Sequence, residues 1–357
     1  MEYYVYITHN CNTRCSYCCS SRVISSVKCN ITSRHIDRII QYIIENLGEE
    51  PDLLMMSGGE PLLRPDIIHE ILDKTEGLNL TRMTLTNGIL LDRVPLDLLN
   101  RFDAILVSMD GDRNSHELHR GRGTYDRIVS NLQNLKHRLK PTIIGRGTLE
   151  EESDVFSSVT NMLPITDAVY WQIVSKPRFR KPDPFIASYE QGIEKLVKFW
   201  LNGLRQGKHL RIIPFIAIVS SLVFGYKRNG VSFRCGAGWN LQVIDIDGAI
   251  YWCDEYIGEP KGVIGNLYGK KPTLIYEPHY EIFKECRSCP VTDICLGRCK
   301  KCLKEYTSEH NRIYCRLTRK LIDTLTQHID EIKSLIEEQG YTLDTFYDVP
   351  RCTEEIP

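Results

Sequence analysis

The chain has no long apolar run. Its longest uncharged stretch, Ile212 to Tyr226, is about 15 residues and contains Pro214, whereas a membrane-spanning helix needs roughly 20. That stretch reads as a buried helix, with a membrane-surface role as the alternative. Charge of one sign is also lacking: 45 Lys and Arg stand against 46 Asp and Glu, a net charge of −1. Neither nucleic acid nor a membrane is therefore expected as the main partner. The N-terminus has no basic segment leading into an apolar one, so no secretory signal is read and a cytoplasmic location is expected. Low-complexity segments are absent. What the chain does have is cysteine, 14 in 357 residues. In a chain without an export signal, clustered cysteines point to metal, not disulfides. The length suffices for one large core or two domains.

The most telling cysteines come first. Cys11-Asn-Thr-Arg-Cys15-Ser-Tyr17-Cys18 follows an apolar strand, Tyr3 to Ile7. Three thiolates on a short loop do not complete a four-ligand site. They can hold three irons of a 4Fe-4S cubane and leave the fourth open to a substrate or cofactor. Gly58-Gly59-Glu60-Pro61 follows a second strand, Leu53 to Met56. The C-x-x-x-C-x-x-C spacing, Tyr17 before its last cysteine, and the Gly-Gly-Glu-Pro segment together resemble the radical SAM superfamily. That resemblance implies that the open iron chelates S-adenosylmethionine (SAM). Electron transfer would then split SAM into methionine and a 5′-deoxyadenosyl radical.

Strands and helices alternate from residue 3 to about 206. The expected strands are 3–8, 53–56, 82–86, 104–108, 142–146 and 168–174. Between them, Ile36, Ile39, Ile40, Ile43, Ile44 and Leu47 recur at helical spacing, with Gly48 as the stop. Ile67, Ile68, Ile71 and Leu72 make a second such face, and Ile128, Leu132, Leu135 and Leu139 a third. This alternation implies parallel βαβ units. The expected fold is α/β, a partial (β/α)6 TIM-like barrel with its chemistry on loops at the strands' C-terminal ends. The expected segments are the barrel over 1–206, a helical linker over 207–229, a cysteine-rich domain with a β-hairpin over 230–318, and a C-terminal helix and tail over 319–357. The hairpin turns at Asp247-Gly248, and one amphipathic helix is expected over 316–339.

Residue types at the strand ends suit SAM. Acceptors at Gly58, Gly59 and Glu60 suit its ammonium, with glycine allowing close backbone approach. Asn87 ends the third strand. Ser108 and Asp110, at the fourth, are hydroxyl-binding types suited to the ribose. His119-Arg120-Gly121 and Gly123-Thr-Tyr125 follow, and the series resembles SAM-binding segments of radical SAM enzymes. Arg146 is the candidate for the SAM carboxylate, with a structural role as its alternative.

A second constellation comprises Cys235, Cys253, Cys286-x-x-Cys289, Cys295, Cys299 and Cys315. Its order and spacing resemble the SPASM extension of radical SAM enzymes over about 230–318; a zinc ribbon is the rival reading. The resemblance implies two auxiliary 4Fe-4S clusters, three clusters in all. Cys286, Cys289, Cys295 and Cys315 would hold the distal one, and Cys235, Cys253 and Cys299 the proximal one. Some relatives carry an eighth cysteine shortly after the first of these, but here the segment reads Gly236-Ala-Gly-Trp-Asn-Leu241. The proximal cluster would then keep an open iron or take another ligand, with Cys302 nearest in sequence. An open iron suits a soft sulfur donor and so a cysteine-containing substrate. Asp254 would lie near this cluster and take a substrate proton, or it sits in an exposed turn. Cys19, Cys29 and Cys352 have no assigned role.

By this resemblance the chain is an oxidoreductase that abstracts hydrogen from a residue of a ribosomally made peptide, giving a thioether or carbon–carbon crosslink. The alternatives are dehydrogenation of a Ser or Cys side chain, as in sulfatase maturation, or oxidation of a small molecule in cofactor biosynthesis. The first cluster cysteine stands at position 11, so a leader-binding domain is not expected ahead of the barrel. A separate leader-binding protein is an expected partner, as is an electron donor such as flavodoxin or ferredoxin.

Overall fold

Strand and helix do alternate along the chain. The computed structural model describes residues 1–24, 31–227, 234–275, 279–297, 299–350 and 355–357. They fall into two compact units. One comprises 1–108, 116–144 and 236–276, the other 109–115, 145–235 and 277–357. The division does not follow the four consecutive segments expected from the sequence. Residues 145–206 belong with the C-terminal helices, and 236–276 belong with the first strands.

The first unit is built on β1 (Glu2–Thr8), β2 (Asp52–Gly58), β3 (Leu80–Thr86) and β4 (Ala104–Ser108). All pair in parallel, with Tyr3 opposite Leu54, Met55 opposite Met83 and Leu85 opposite Leu106. Strands covered on both faces need apolar side chains throughout, and Leu54, Met56, Ala104 and Ile105 are fully buried. The helix Ser33–Glu45 buries Ile36, Ile39, Ile40 and Ile43. It stops before Gly48, because the Asn46 N–H caps it on the Ile43 and Ile44 carbonyls. Pro65–Lys74, with proline in its first turn, buries Ile67, Ile68, Ile71 and Leu72.

The hairpin of β7 (Leu241–Ile244) and β8 (Ala249–Tyr251) closes through Gly248, at φ +84°, whose N–H bonds the Asp245 carbonyl at 2.9 Å. It is not separate from the barrel strands. β7 runs parallel to β1, with Glu2 opposite Leu241 and Val5 opposite Ile244. β9 (Val263–Asn266) pairs antiparallel with β8. The sheet of this unit therefore runs β4-β3-β2-β1-β7-β8-β9. A fifth strand, β5 (Thr142–Leu149), begins here, where the Thr142 N–H bonds the Asp103 carbonyl.

The second unit holds the rest of β5 and its neighbour β6 (Ala168–Ile173). Its long helix Pro182–Arg205 packs against Ser308–Thr326, with ion pairs Glu190–Arg316 and Glu194–Lys320 along the seam. The apolar stretch forms the helix Ile213–Phe224, with Pro214 in its first turn and Phe215 edge-on to Trp200 at 5.7 Å. Among the described residues no helix is long and apolar enough to cross a membrane. The single C-terminal helix expected over 316–339 is two helices, Ser308–Thr326 and Ile329–Glu338. The first starts earlier because the Thr307 hydroxyl caps the His310 N–H. It ends at Thr326, and Gln327 and His328 separate it from the next helix.

Candidate functional site

The loop after β1 is shaped by two glycines on β2's end. A Cβ on Gly59 would stand 2.2 Å from the Asn10 carbonyl oxygen, and one on Gly58 2.3 Å from that of Thr8. With glycine there, the Gly59 and Glu60 N–H groups each bond the loop backbone at 2.8 Å, on Thr8 and Asn10. The Thr13 hydroxyl lies 3.3 Å from Cys11 Sγ and 3.7 Å from Cys15 Sγ. Burial pushes the Cys18 thiol up to about 11, and the fields of Cys15 and Cys11 push the same way. Cys18 thus stands in the field of both other cysteines, and all three are partly exposed. Such a trio fits a cluster, because crowded, mutually repelling thiolates are relieved by a metal that shares their charge. Cys19 instead turns to Ser20, and burial, then Glu255 and Asp254, raise its thiol pKa.

The neighbouring strand ends brace this loop. Glu60 is fully buried. Its carboxylate accepts from the Leu62 N–H (3.0 Å), the Thr86 hydroxyl (2.7 Å) and the Asn87 N–H (2.7 Å). It therefore joins the ends of β2 and β3, which leaves the backbone of Gly58 and Gly59 as the more accessible acceptors of that segment. The Asn87 amide donates to Asn12 Oδ1 at 2.7 Å, inside the cysteine loop. On the far side of the loop, the Ser16 N–H bonds the His119 carbonyl and the Ser16 hydroxyl lies 2.8 Å from His119 Nδ1. Tyr17 sits between the His119 ring and the Arg120 guanidinium, 5.5 and 5.4 Å away. Ser108 is partly exposed at the end of β4.

In the second unit Asp110 is fully buried and accepts the Thr148 N–H at 2.9 Å. One of its carboxylate oxygens thus holds the backbone of β5. Arg146 donates to Gln172 at 2.6 Å and stands over the Tyr170 ring at 5.9 Å. Both partners lie on β6.

Back in the first unit, the hairpin delivers Cys253 and Asp254. Asp254 Oδ1 accepts the Glu255 N–H at 3.0 Å and the Cys253 thiol at 3.5 Å. A buried polar group that the sequence reading missed lies nearby. Tyr6 and Ser20 are joined through their hydroxyls at 2.9 Å, and burial, then Cys19 and Asp254, raise the Tyr6 pKa. His9, two residues before Cys11, pairs through Nε2 with Asp245 at 2.6 Å, both buried. No spacing rule flags this pair, because β7 places Asp245 beside β1 only in three dimensions.

The remaining cysteines gather in the second unit. Burial raises the Cys286 thiol to about 12, with Cys315, Cys295 and Cys289 adding to the shift in that order. The Arg319 guanidinium donates to Cys289 Sγ at 3.3 Å. The Arg234 N–H bonds the Leu296 carbonyl at 2.9 Å, which ties the residue before Cys235 to the segment between Cys295 and Cys299. Cys302 is buried, its thiol 3.3 Å from the Ser175 hydroxyl. Among the described residues no three or more His, Cys, Asp or Glu side chains converge to hold a single metal ion. A zinc site would bring its sulfurs to about 3.8 Å of one another, given Zn–S bonds of about 2.3 Å. Cys29 and Cys352 lie outside the described residues.

Residues 5–155 match the family model of the radical SAM superfamily. The cysteine-type anaerobic sulfatase-maturating enzyme of Clostridium novyi is 24% identical over 333 residues, covering 82% of this chain and 85% of that protein. The AdoMet-dependent heme synthase of Methanosarcina barkeri is 23% identical over 318 residues, covering 82% and 88%. Among solved structures, native anSMEcpe with bound AdoMet matches with a TM-score of 0.74 at 17% identity, over 94% of this chain and 100% of that one.

Proposed function

We infer that this chain, a radical SAM enzyme, oxidatively modifies a side chain of a peptide or protein substrate. The observation that carries the reading is the trio Cys11, Cys15 and Cys18, held as a set by the ends of β1, β2 and β3. The length-spanning similarity to a sulfatase-maturating enzyme supports a protein or peptide substrate. Held by Cys11, Cys15 and Cys18, a 4Fe-4S cluster would supply reductive cleavage of SAM and, through it, hydrogen abstraction from an unactivated C–H bond.

The chain's residues would serve that chemistry as follows. Cys11, Cys15 and Cys18 hold the cluster. The Gly58 and Gly59 backbone and Ser108 offer acceptors to SAM, with Tyr17 beside the loop. Asp254, on the hairpin near Cys19, takes the proton released when the substrate is oxidised. Cys286, Cys289, Cys295 and Cys315 hold one auxiliary cluster, and Cys235, Cys253 and Cys299 a second. The bond between Cys302 and Ser175 favours a structural thiol at 302 and leaves the eighth ligand position without a cysteine. That vacancy suits a substrate thiolate, and so a thioether product. Electrons would come from a flavodoxin- or ferredoxin-like donor.

The test is anaerobic incubation of the reconstituted enzyme with SAM, reductant and Cys-containing peptides, followed by mass spectrometry. Loss of two hydrogens from the peptide, with 5′-deoxyadenosine released, is the expected result. Cleavage of SAM without change in any peptide or protein would overturn the substrate reading. Exchange of a Cys sulfur for oxygen together with loss of two hydrogens would instead indicate aldehyde formation.

A further inference from the structure

Arg319 stands one helical turn after Cys315 on the helix Ser308–Thr326, so the two share a face. Its Nη2 donates to Cys289 Sγ at 3.3 Å. Asp323 stands one turn further along the same helix. The other cations along this helix are committed elsewhere: Arg312 to Glu285, Arg316 to Glu190 and Lys320 to Glu194. Arg319 is thus a permanent cation directed at Cys289, on the helix face it shares with Cys315.

We propose that Arg319 is a positioning residue that raises the reduction potential of the auxiliary cluster held by Cys286, Cys289, Cys295 and Cys315. The proposal rests on the reading that these four cysteines hold one cluster. Its physical basis is general. One-electron reduction makes a cluster more negative. A cationic N–H donor on a ligating sulfur stabilises that form more than the oxidised one. Oxidation of a substrate radical releases one electron and one proton. Arg319 would favour acceptance of the electron and move no proton, since guanidinium does not titrate in this range.

The test is redox titration of the full, anaerobically reconstituted chain, followed by electron paramagnetic resonance. In Arg319→Gln one midpoint should shift to a more negative potential, while the other clusters and the iron content stay as in the wild type. Arg319→Lys, which keeps the charge but loses the planar fork, should shift less. Asp323→Asn removes the opposing charge without touching a cysteine and should shift the same midpoint upward. Unchanged midpoints in Arg319→Gln at full iron content would overturn the proposal. Should that variant fail to retain iron, an unmoved midpoint in Asp323→Asn would overturn it. Cys289→Ala separates the two levels. If it costs no cluster, the ligand reading fails. If it costs one while the Arg319 variants do not shift, only the role of Arg319 fails.

Discussion

Glu60 shows how a residue read as a ligand contact can belong to the fold. Its buried carboxylate answers two backbone N–H groups and one hydroxyl. Glu60→Gln would turn an amide N–H₂ toward at least one of those donors. It should lower stability by about 1–3 kcal/mol, the cost of leaving a buried polar group unsatisfied. Denaturant unfolding checks the loss, and SAM affinity should change little in the folded protein. Gly59 is a sharper case. A methyl there would stand 2.2 Å from a carbonyl of the cysteine loop. Gly59→Ala should leave the helical circular dichroism in place but cost one cluster, read as about four irons fewer per chain. Full iron content in that variant would contradict the role given to the two glycines.

At the scale of elements, β7 is the strand that couples the hairpin to the cysteine loop. The His9–Asp245 pair at its end joins them through one short buried bond. A double-mutant cycle of His9→Gln and Asp245→Asn should return a coupling of about 0.5–3 kcal/mol, as for residues in direct contact. Additive effects would show that the pair does not link the two elements. A pH dependence arises where the C-terminal segment packs. His209 stacks on Phe346 at 5.0 Å, and burial lowers its pKa, opposed by Asp348 and aided by Arg211. With the folded value below the ordinary 6.5, the unfolded chain takes up a proton first as pH falls. This contribution to stability is therefore complete above about 6.5 and declines below it, down to the depressed folded value. His209→Phe should flatten the fall in melting temperature over that window, measured by calorimetry. An unchanged slope would place the acid sensitivity elsewhere.

At the scale of the whole molecule, the strands β1 to β6 were legible because each is a short segment with apolar residues set between amphipathic stretches. The cysteine sets could be proposed from the chain alone because their spacing is itself a motif. The parallel pairing of β7 with β1 was not, since Glu2 and Leu241 lie far apart in sequence and no local pattern encodes which strand edge a hairpin joins. The protein contacts of Glu60, Asp110 and Arg146 were hidden for a related reason. Residue type shows what a side chain can bind, but only the fold shows which backbone groups reach it first. The break at Gln327 and His328 was hidden because Leu325, Ile329, Ile332 and Ile336 keep nearly helical spacing across it. The claim on which the rest depends is that Cys11, Cys15 and Cys18 assemble a cluster that cleaves SAM. It is tested most directly by 5′-deoxyadenosine release under strong reductant, comparing the anaerobically reconstituted wild type with Cys15→Ala. Release by the wild type and none by the variant is the predicted result. No release by an iron-loaded wild type, or equal release by both, would contradict it.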